Sequence, residues 1–383
     1  KGSVGIEDAT LPNLTASDLV PIGQALAVMF WCFVGIEAFA HMGEEFKNPQ
    51  RDFPLAILLG CVIAGLVYWA FSVVVLKFGA YGTSGLDPKG INVPMVYTKA
   101  YACYALKCAI APEIPNNAAS LAPFKVTAPE NSIVNAPHPA PVALRHIIGH
   151  MIPDTVFGAL DQILPQTVPA EGAGCLCNFQ VSLRPRTDAP APKEARRAEV
   201  LTFNSGGAGA RPNYDGMNAT AFPSGVMTMP VEATEHTGPV IIWRKELRED
   251  SGGAGTMRGG LGQYMEIGAT DGHEFDLSAM FDRLDHPARG RNGGAAGAPT
   301  IITREDGTPM RGKGKQFVGH GGRVKFAFPG GAGYGSADMR DPALVARDLA
   351  RGYISVQSAR DDYGLDDTAI NDVLERVAKG DIA

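Results

Sequence analysis

The chain has 383 residues, of which 45% are hydrophobic and 19% charged. That composition excludes a disordered, collagen-like or small disulfide-stapled protein and is long enough for two or three domains. A net charge of -6 supplies no basic surface to displace the counterions of a nucleic acid, while 46 glycines and 28 prolines without a collagen period point to a loop-rich, partly β architecture.

Two apolar stretches come first. Residues 19–40 are interrupted only by Gln24 and Glu37, and residues 54–76 carry no charge at all. At ~1.5 Å per residue the second exceeds the ~30 Å hydrocarbon thickness of a bilayer, so both are predicted as transmembrane helices. A long buried helix is the alternative for the second, and a helix ending early at Gly35 for the first. The sequence FVGIEAFAHMGEEFKNPQRDFPLAILLG resembles the amino acid/polyamine/organocation transporter superfamily, especially its neutral amino acid exporters. The resemblance implies that Gly35, Ile36 and Glu37 line a substrate path, with Lys47 and Arg51 on the cytoplasmic side. Such transporters need roughly ten or more spans in inverted repeats, so two spans predict no alternating-access pathway. A first residue Lys1 in place of Met predicts that an N-terminal portion is missing.

After Gly82 the long apolar runs give way to short segments broken by Gly, Pro, Asn and Asp. Helical spacing predicts a helix over 93–110, stopped by the prolines of PEIPNN, and a second over 141–164 that Pro153 should kink or split. Short β-like runs and glycine turns follow, the polar segment 186–199 reads as an exposed excursion, and a terminal helix is expected from Asp367. The cysteines show no CxxC pair or regular framework, which predicts free thiols, no zinc site and an intracellular setting.

Among chemistry-bearing residues, His146, His150 and Asp154 recur every four positions and so share one helix face. Two histidines and a carboxylate can hold a transition metal; hydrogen-bonded structural histidines are the alternative. Arg145 could meet a substrate carboxylate or form a surface salt bridge. Arg248, Asp250 and Ser251 with Gly252 and Gly253 form a polar, glycine-bearing cluster that could bind substrate or an anion. The glycine stretches 206–209, 252–255 and 330–335 are either anion-binding nests or plain turns. No Walker GxxxxGK[ST] pattern occurs, so ATP would have to bind elsewhere, and sequence order identifies no nucleophilic triad.

Seven ordered motifs carry a second resemblance: INVP, YALKCAIAPEIPNN, APENSIVNAPHPAPVALRH, GGAGARPNYDGMNAT, ELREDSGGAGTMRGGLG, PGGAGYG with its following RDP, and ARDLARGYISVQSARDDYGL. Over 83–365 the chain resembles the hydantoinase B/oxoprolinase family. The resemblance implies an α+β, glycine-rich domain, hetero-oligomeric with a hydantoinase A-type subunit that uses ATP. It implies ATP-dependent opening of a cyclic amide such as 5-oxoproline or a hydantoin, or ketone carboxylation in related complexes. Phosphorylating the carbonyl oxygen of a resonance-stabilised lactam would make attack by water feasible. The family's metal-binding segments of the type NDP…GGTHLPD and HHADVGG are absent from this sequence, so a divalent metal and autonomous catalysis are both in question.

The expected organisation is therefore a transporter-like fragment over 1–82, a hydantoinase B-like domain over 83–365 and a tail over 366–383. The enzyme-like domain is expected in the cytoplasm, and at a membrane if the first segment belongs to the working protein. Two truncated resemblances meeting near Gly82 make the chain read as a chimera.

Overall fold

The computed structural model describes residues 90–380 apart from 191 and 194. The expected spans 19–40 and 54–76, with Gly35, Ile36 and Glu37, lie outside the described residues. Among the described residues no helix is long and apolar enough to cross a membrane. The chain divides into two compact units, residues 1–88 with 139–141 and residues 89–138 with 142–383, and the elements below belong to the second.

Helix α1, Met95–Ile110, begins after an extended Pro94, whose fixed φ suits a helix entry, and stops before Pro112 and Pro115. A single helical turn, α2 (Ala118–Leu121), is closed by a reciprocal Asn117/Ser120 capping box. Helix α3, Arg145–Leu160, packs along α1. Gly149 makes the approach possible, because a Cβ there would lie 2.3 Å from the Tyr97 ring. The expected split at Pro153 does not occur: α3 runs through it as one helix. The buried side chains Ile147, Phe157 and Leu160 on either side hold the helix together against the loss of one backbone donor.

Eight strands form two antiparallel sheets among the described residues. One is ordered β2-β1-β5-β7, from β1 (Phe179–Pro185), β2 (Ala198–Thr202), β5 (His273–Met280) and β7 (Lys313–Val318). The other is ordered β3-β4-β8-β6, from β3 (Val240–Leu247), β4 (Gln263–Ala269), β6 (Ile301–Arg304) and β8 (Arg323–Ala327), with a short helix α4 (Val231–Thr237) before β3. Alternation sets which residues turn inward: Phe179, Val181 and Leu183 of β1 are buried, and β1 pairs with β5 so that Phe179 lies opposite Ala279 and Leu183 opposite Phe275. These residues share one apolar cluster with Met265, Ile267, Val324 and Phe326 of the other sheet. Phe179 stacks on Phe326 at 4.7 Å between ring centroids, so the two sheets close face to face on a common core. The polar excursion expected over 186–199 is the loop between β1 and β2, and its last two residues belong to β2.

The glycine-rich motifs depart from the expectation of turns. Segments around 170–173, 206–210, 215–219, 251–262, 288–298 and 329–335 lie side by side, bonded to one another by isolated backbone hydrogen bonds in place of ladders. Examples are Gly207 N–H to the Pro329 carbonyl (3.0 Å), Gly331 N–H to Gly260 (2.9 Å) and Gly333 N–H to Ala295 (2.9 Å). A Cβ on Gly207 would sit 1.8 Å from the Gly260 carbonyl oxygen, and one on Gly331 2.0 Å from that of Ala208. Glycine is therefore required here for close backbone approach, and no left-handed conformation is involved at either position.

The chain ends in α5 (Pro342–Ala350), α6 (Val356–Asp361) and α7 (Asp367–Lys379), which share a small core of Val345, Leu349, Ile354, Ala359, Ile370 and Val373. The terminal helix starts at the expected residue: the Asp366 side chain accepts from the Ala369 N–H, and Gly380 closes the helix with φ 76°.

Candidate functional site

Helix α3 does place His146, His150 and Asp154 along one side, where they meet residues 171–178 and the loop after β5. Asp154 and His150 are both buried. The Asp154 carboxylate takes an ion pair from Arg283 at 3.0 Å. The Arg283 guanidinium makes three further contacts. It reaches Glu171 at 3.1 Å and donates to the carbonyls of Ala173 and Gly172, both at 3.0 Å. Glu171 in turn accepts from the Arg289 guanidinium at 2.8 Å and from the Arg289 N–H at 3.0 Å. The ensemble is a chain of alternating charge, Asp154, Arg283, Glu171 and Arg289, linking α3 to the first glycine segment.

Electrostatics separates the members. Burial pushes Asp154 up to about 7, with the Arg283 charge pulling the other way and the neighbouring Glu171 charge pushing with it. Glu171 is held below its ordinary value, since its arginine partners outweigh its burial. His150 is driven down to about 4 by burial and by the adjacent His146, and burial likewise lowers His146 despite help from the Asn178 side chain and the Asp282 charge. Both imidazoles are thus neutral at pH 7, with rings 6.3 Å apart, and His150 edge-on to Tyr101 at 5.9 Å. His146 Nε2 and His150 Nδ1 are buried without a hydrogen-bond partner.

The metal set expected from the i, i+4 spacing is not assembled. Asp154 faces Arg283, and among the described residues no three His, Cys, Asp or Glu side chains are grouped to hold a metal ion. Arg145 lies over the Tyr97 ring at 5.7 Å and donates to the Val142 carbonyl.

The second expected cluster is brought together, but as joinery. Arg248 is buried, donates to the carbonyls of Pro299 (2.7 Å) and Phe328 (3.1 Å), and lies over Tyr264. Ser251 donates to the Arg248 carbonyl and accepts from the Gly262 N–H at 2.9 Å. Asp250, at φ 56°, accepts from the Ser355 N–H at 2.8 Å and so ties this turn to the C-terminal helices. Gly252 and Gly253 abut the carbonyl oxygens of Gly259 and Ala295, at 2.0 and 2.2 Å from where a Cβ would stand. Within the glycine stretches the N–H groups of Gly207, Gly253, Gly330, Gly331 and Gly333 are spent on neighbouring carbonyls. An open polar depression beside Arg248 is lined by Arg244, Glu246, Glu249, Asp250 and Tyr264.

Sequence reasoning missed Glu171, Arg283 and Arg289, and a second buried network in which Asp348 pairs with Arg258 (2.9 Å) and Arg340 (2.5 Å), and Arg340 with Asp215 (2.7 Å). Lone charged residues beside glycines carry no spacing signal; their partners lie up to 132 positions away.

Comparison with known proteins gives two matches along the chain. Residues 6–93 match the amino acid permease family profile. Within that region 65 residues are 63% identical to the L-methionine/branched-chain amino acid exporter YjeH of Escherichia coli, over 17% of this chain and 16% of the exporter. The remainder is similar to an uncharacterised protein of Methanocaldococcus jannaschii, 32% identical over 75% of this chain and 50% of that protein. It is also similar to the B component of a putative D-/L-hydantoinase of Pseudomonas sp. strain NS671, 27% identical over 74% of this chain and 48% of that protein. The chain thus spans about half the length of these relatives. The crystal structure of the ATP-dependent caprolactamase from Pseudomonas jessenii shares the fold, with TM-score 0.62 and 24% identity over 75% of this chain and 52% of that one. The chain is accordingly a composite, carrying a permease-like stretch ahead of a larger enzyme-like one. Residues 74–337 match the hydantoinase B/oxoprolinase profile, and the chain belongs to that family.

Proposed function

We propose that residues 83–365 act as the C-terminal part of a hydantoinase B-type subunit, which opens a cyclic amide such as 5-oxoproline or a hydantoin in an ATP-dependent complex with a hydantoinase A-type partner. The observation that carries this reading is the family match over 74–337, joined to a fold shared with an ATP-dependent caprolactamase. An intact amide resists water because resonance delocalises its nitrogen lone pair. ATP supplies the activation by turning the carbonyl oxygen into a leaving group. This sequence holds no Walker pattern, which supports assigning nucleotide to the partner.

The chain's own contribution is a rigid frame. Arg283 acts as a positioning residue, clamping Asp154 of α3 to Glu171 and to the carbonyls of Gly172 and Ala173. The neutral His146 and His150 rings supply uncharged nitrogen atoms beside this clamp, able to exchange a proton with a polar group that reaches them. The cytoplasm, where ATP is available, is the proposed site of action, and the boundary near residue 82 is proposed as the start of the enzyme-like part.

The test is co-expression of the full chain with a hydantoinase A-type subunit, followed by incubation with ATP and 5-oxoproline, hydantoin or caprolactam. Ring-opened product together with ADP, both lost when the partner is omitted, is expected. An A-type subunit that opens the ring with a full-length B-type relative, yet not with this chain, would overturn the reading.

A further inference from the structure

Cys175 and Cys177 stand two positions apart in the stretch that leads from the first glycine segment into β1. Both are buried, and Leu176 between them is half-buried. Their sulfur atoms are 3.1 Å apart, and the two residues are only 6% and 0% exposed. The backbone is bent at this point. Gly174 has φ 58° and Cys177, a residue with a Cβ, has φ 41°. The ~7 Å Cα separation of an extended i, i+2 pair lies just outside the usual ~4.4–6.8 Å of a disulfide, and here the sulfurs already approach to 3.1 Å.

We infer that Cys175 and Cys177 form a reversible redox dithiol, oxidised by hydrogen peroxide to an intramolecular disulfide within the Cys-Leu-Cys segment. Cys175, the more exposed of the two, attacks the peroxide oxygen. Its sulfur gains an O–H group, the O–O bond breaks and water leaves. The Cys177 sulfur then attacks the Cys175 sulfenic acid, forming the S–S bond and expelling a second water, so two thiols and one peroxide give one disulfide and two waters. Burial keeps the Cys177 thiol protonated, which suits it to resolve and not to initiate. The sulfurs need to close by roughly 1 Å to reach the ~2.05 Å of an S–S bond, so the change is local.

The consequence reaches the charged clamp. Ala173 and Gly172, whose carbonyls hold Arg283, precede this segment directly, while the Cys177 carbonyl accepts from Asn204 at 3.3 Å. A disulfide here stiffens the joint between the glycine bundle and β1.

The test is mass spectrometry of the reduced full chain exposed to hydrogen peroxide, denatured in an alkylating reagent and digested. The expected result is loss of two alkylatable thiols from the peptide holding Cys175 and Cys177, a mass lower by two hydrogens than the reduced peptide, and full recovery with dithiothreitol. In Cys177→Ser, Cys175 should instead be trapped by dimedone as a sulfenic acid. Both thiols remaining alkylatable while Cys108 is oxidised, or irreversible oxidation of Cys175 in the unsubstituted chain, would overturn the inference. The readout on the unsubstituted chain decides the matter even if the variant fails to fold.

Discussion

Asp154 and Arg283 show how a buried ion pair can be close to neutral in stability and still be indispensable once formed. Burial of the carboxyl group outweighs the attraction of its partner, so the folded state holds the Asp154 proton up to about pH 7, against 3.8 for an ordinary aspartate. A raised acid pKa means that the fold binds the proton more tightly than the unfolded chain does. The contribution of this group to stability is full below about pH 4 and is lost as the pH rises to about 7. Asp154→Asn keeps the shape without the charge, and a change of less than about 1 kcal/mol at neutral pH is expected. Subtracting the variant's urea unfolding free energy from that of the unsubstituted protein should give a difference that falls between pH 4 and 7; a flat or rising difference would refute the assignment. Arg283→Met is the opposite case, since it strips the buried Asp154 of its cation and leaves Glu171 only Arg289, and a loss of about 3–5 kcal/mol is expected by the same measurement. The spacing of His146, His150 and Asp154 was legible because a helix dictates which residues share a face. The partner of Asp154 was not, because Arg283 lies 129 positions away and meets it only through the tertiary fold.

Among the elements, the amphipathic ones were the most legible. The α7 helix starts behind an aspartate cap where the sequence places it, and it ends at Lys379 before a glycine. The glycine bundle was not legible, because glycine has two structural uses that look identical in a sequence. One is access to positive φ in turns, and the other is the removal of a Cβ so that backbones can touch. Here the second dominates. Gly207→Ala would set a methyl group 1.8 Å from a backbone carbonyl that is itself fixed by neighbouring strands, so the strain cannot be relieved by a side-chain rotation. A loss at or above the upper end of the ~1–3 kcal/mol typical of overpacking is expected, read as a lowered unfolding midpoint. Gly158→Ala is the matched control. It lies in α3 with only the end of Arg291 nearby, at 3.7 Å, and relief of glycine's backbone entropy should stabilise the protein by about 0.5–1 kcal/mol. Equal effects at the two positions would mean that the bundle tolerates separation of its strands.

At the scale of the whole molecule, the enzyme-like part carries its own supports. Its sandwich core, the helical core at the C-terminus and the alanine-lined core of the glycine bundle are each assembled from residues beyond 169. The buried Asp348 pairs with Arg258 and Arg340 and so fastens the last three helices to that bundle. Residues 1–82 lie outside the described residues. That first segment contains two apolar stretches, 19–40 and 54–76, which in water would leave a large hydrophobic surface uncovered unless a membrane or a partner received it. Removing residues 1–82 should therefore raise the yield of protein in the soluble fraction, while a single cooperative thermal transition persists because the three cores are retained. The comparison is between the full chain and a chain beginning at Thr83, expressed alike and measured by soluble yield and by circular dichroism on heating. A truncated chain that is no more soluble, or that melts without cooperativity, would show that the first segment is part of the folded unit and would move the proposed boundary.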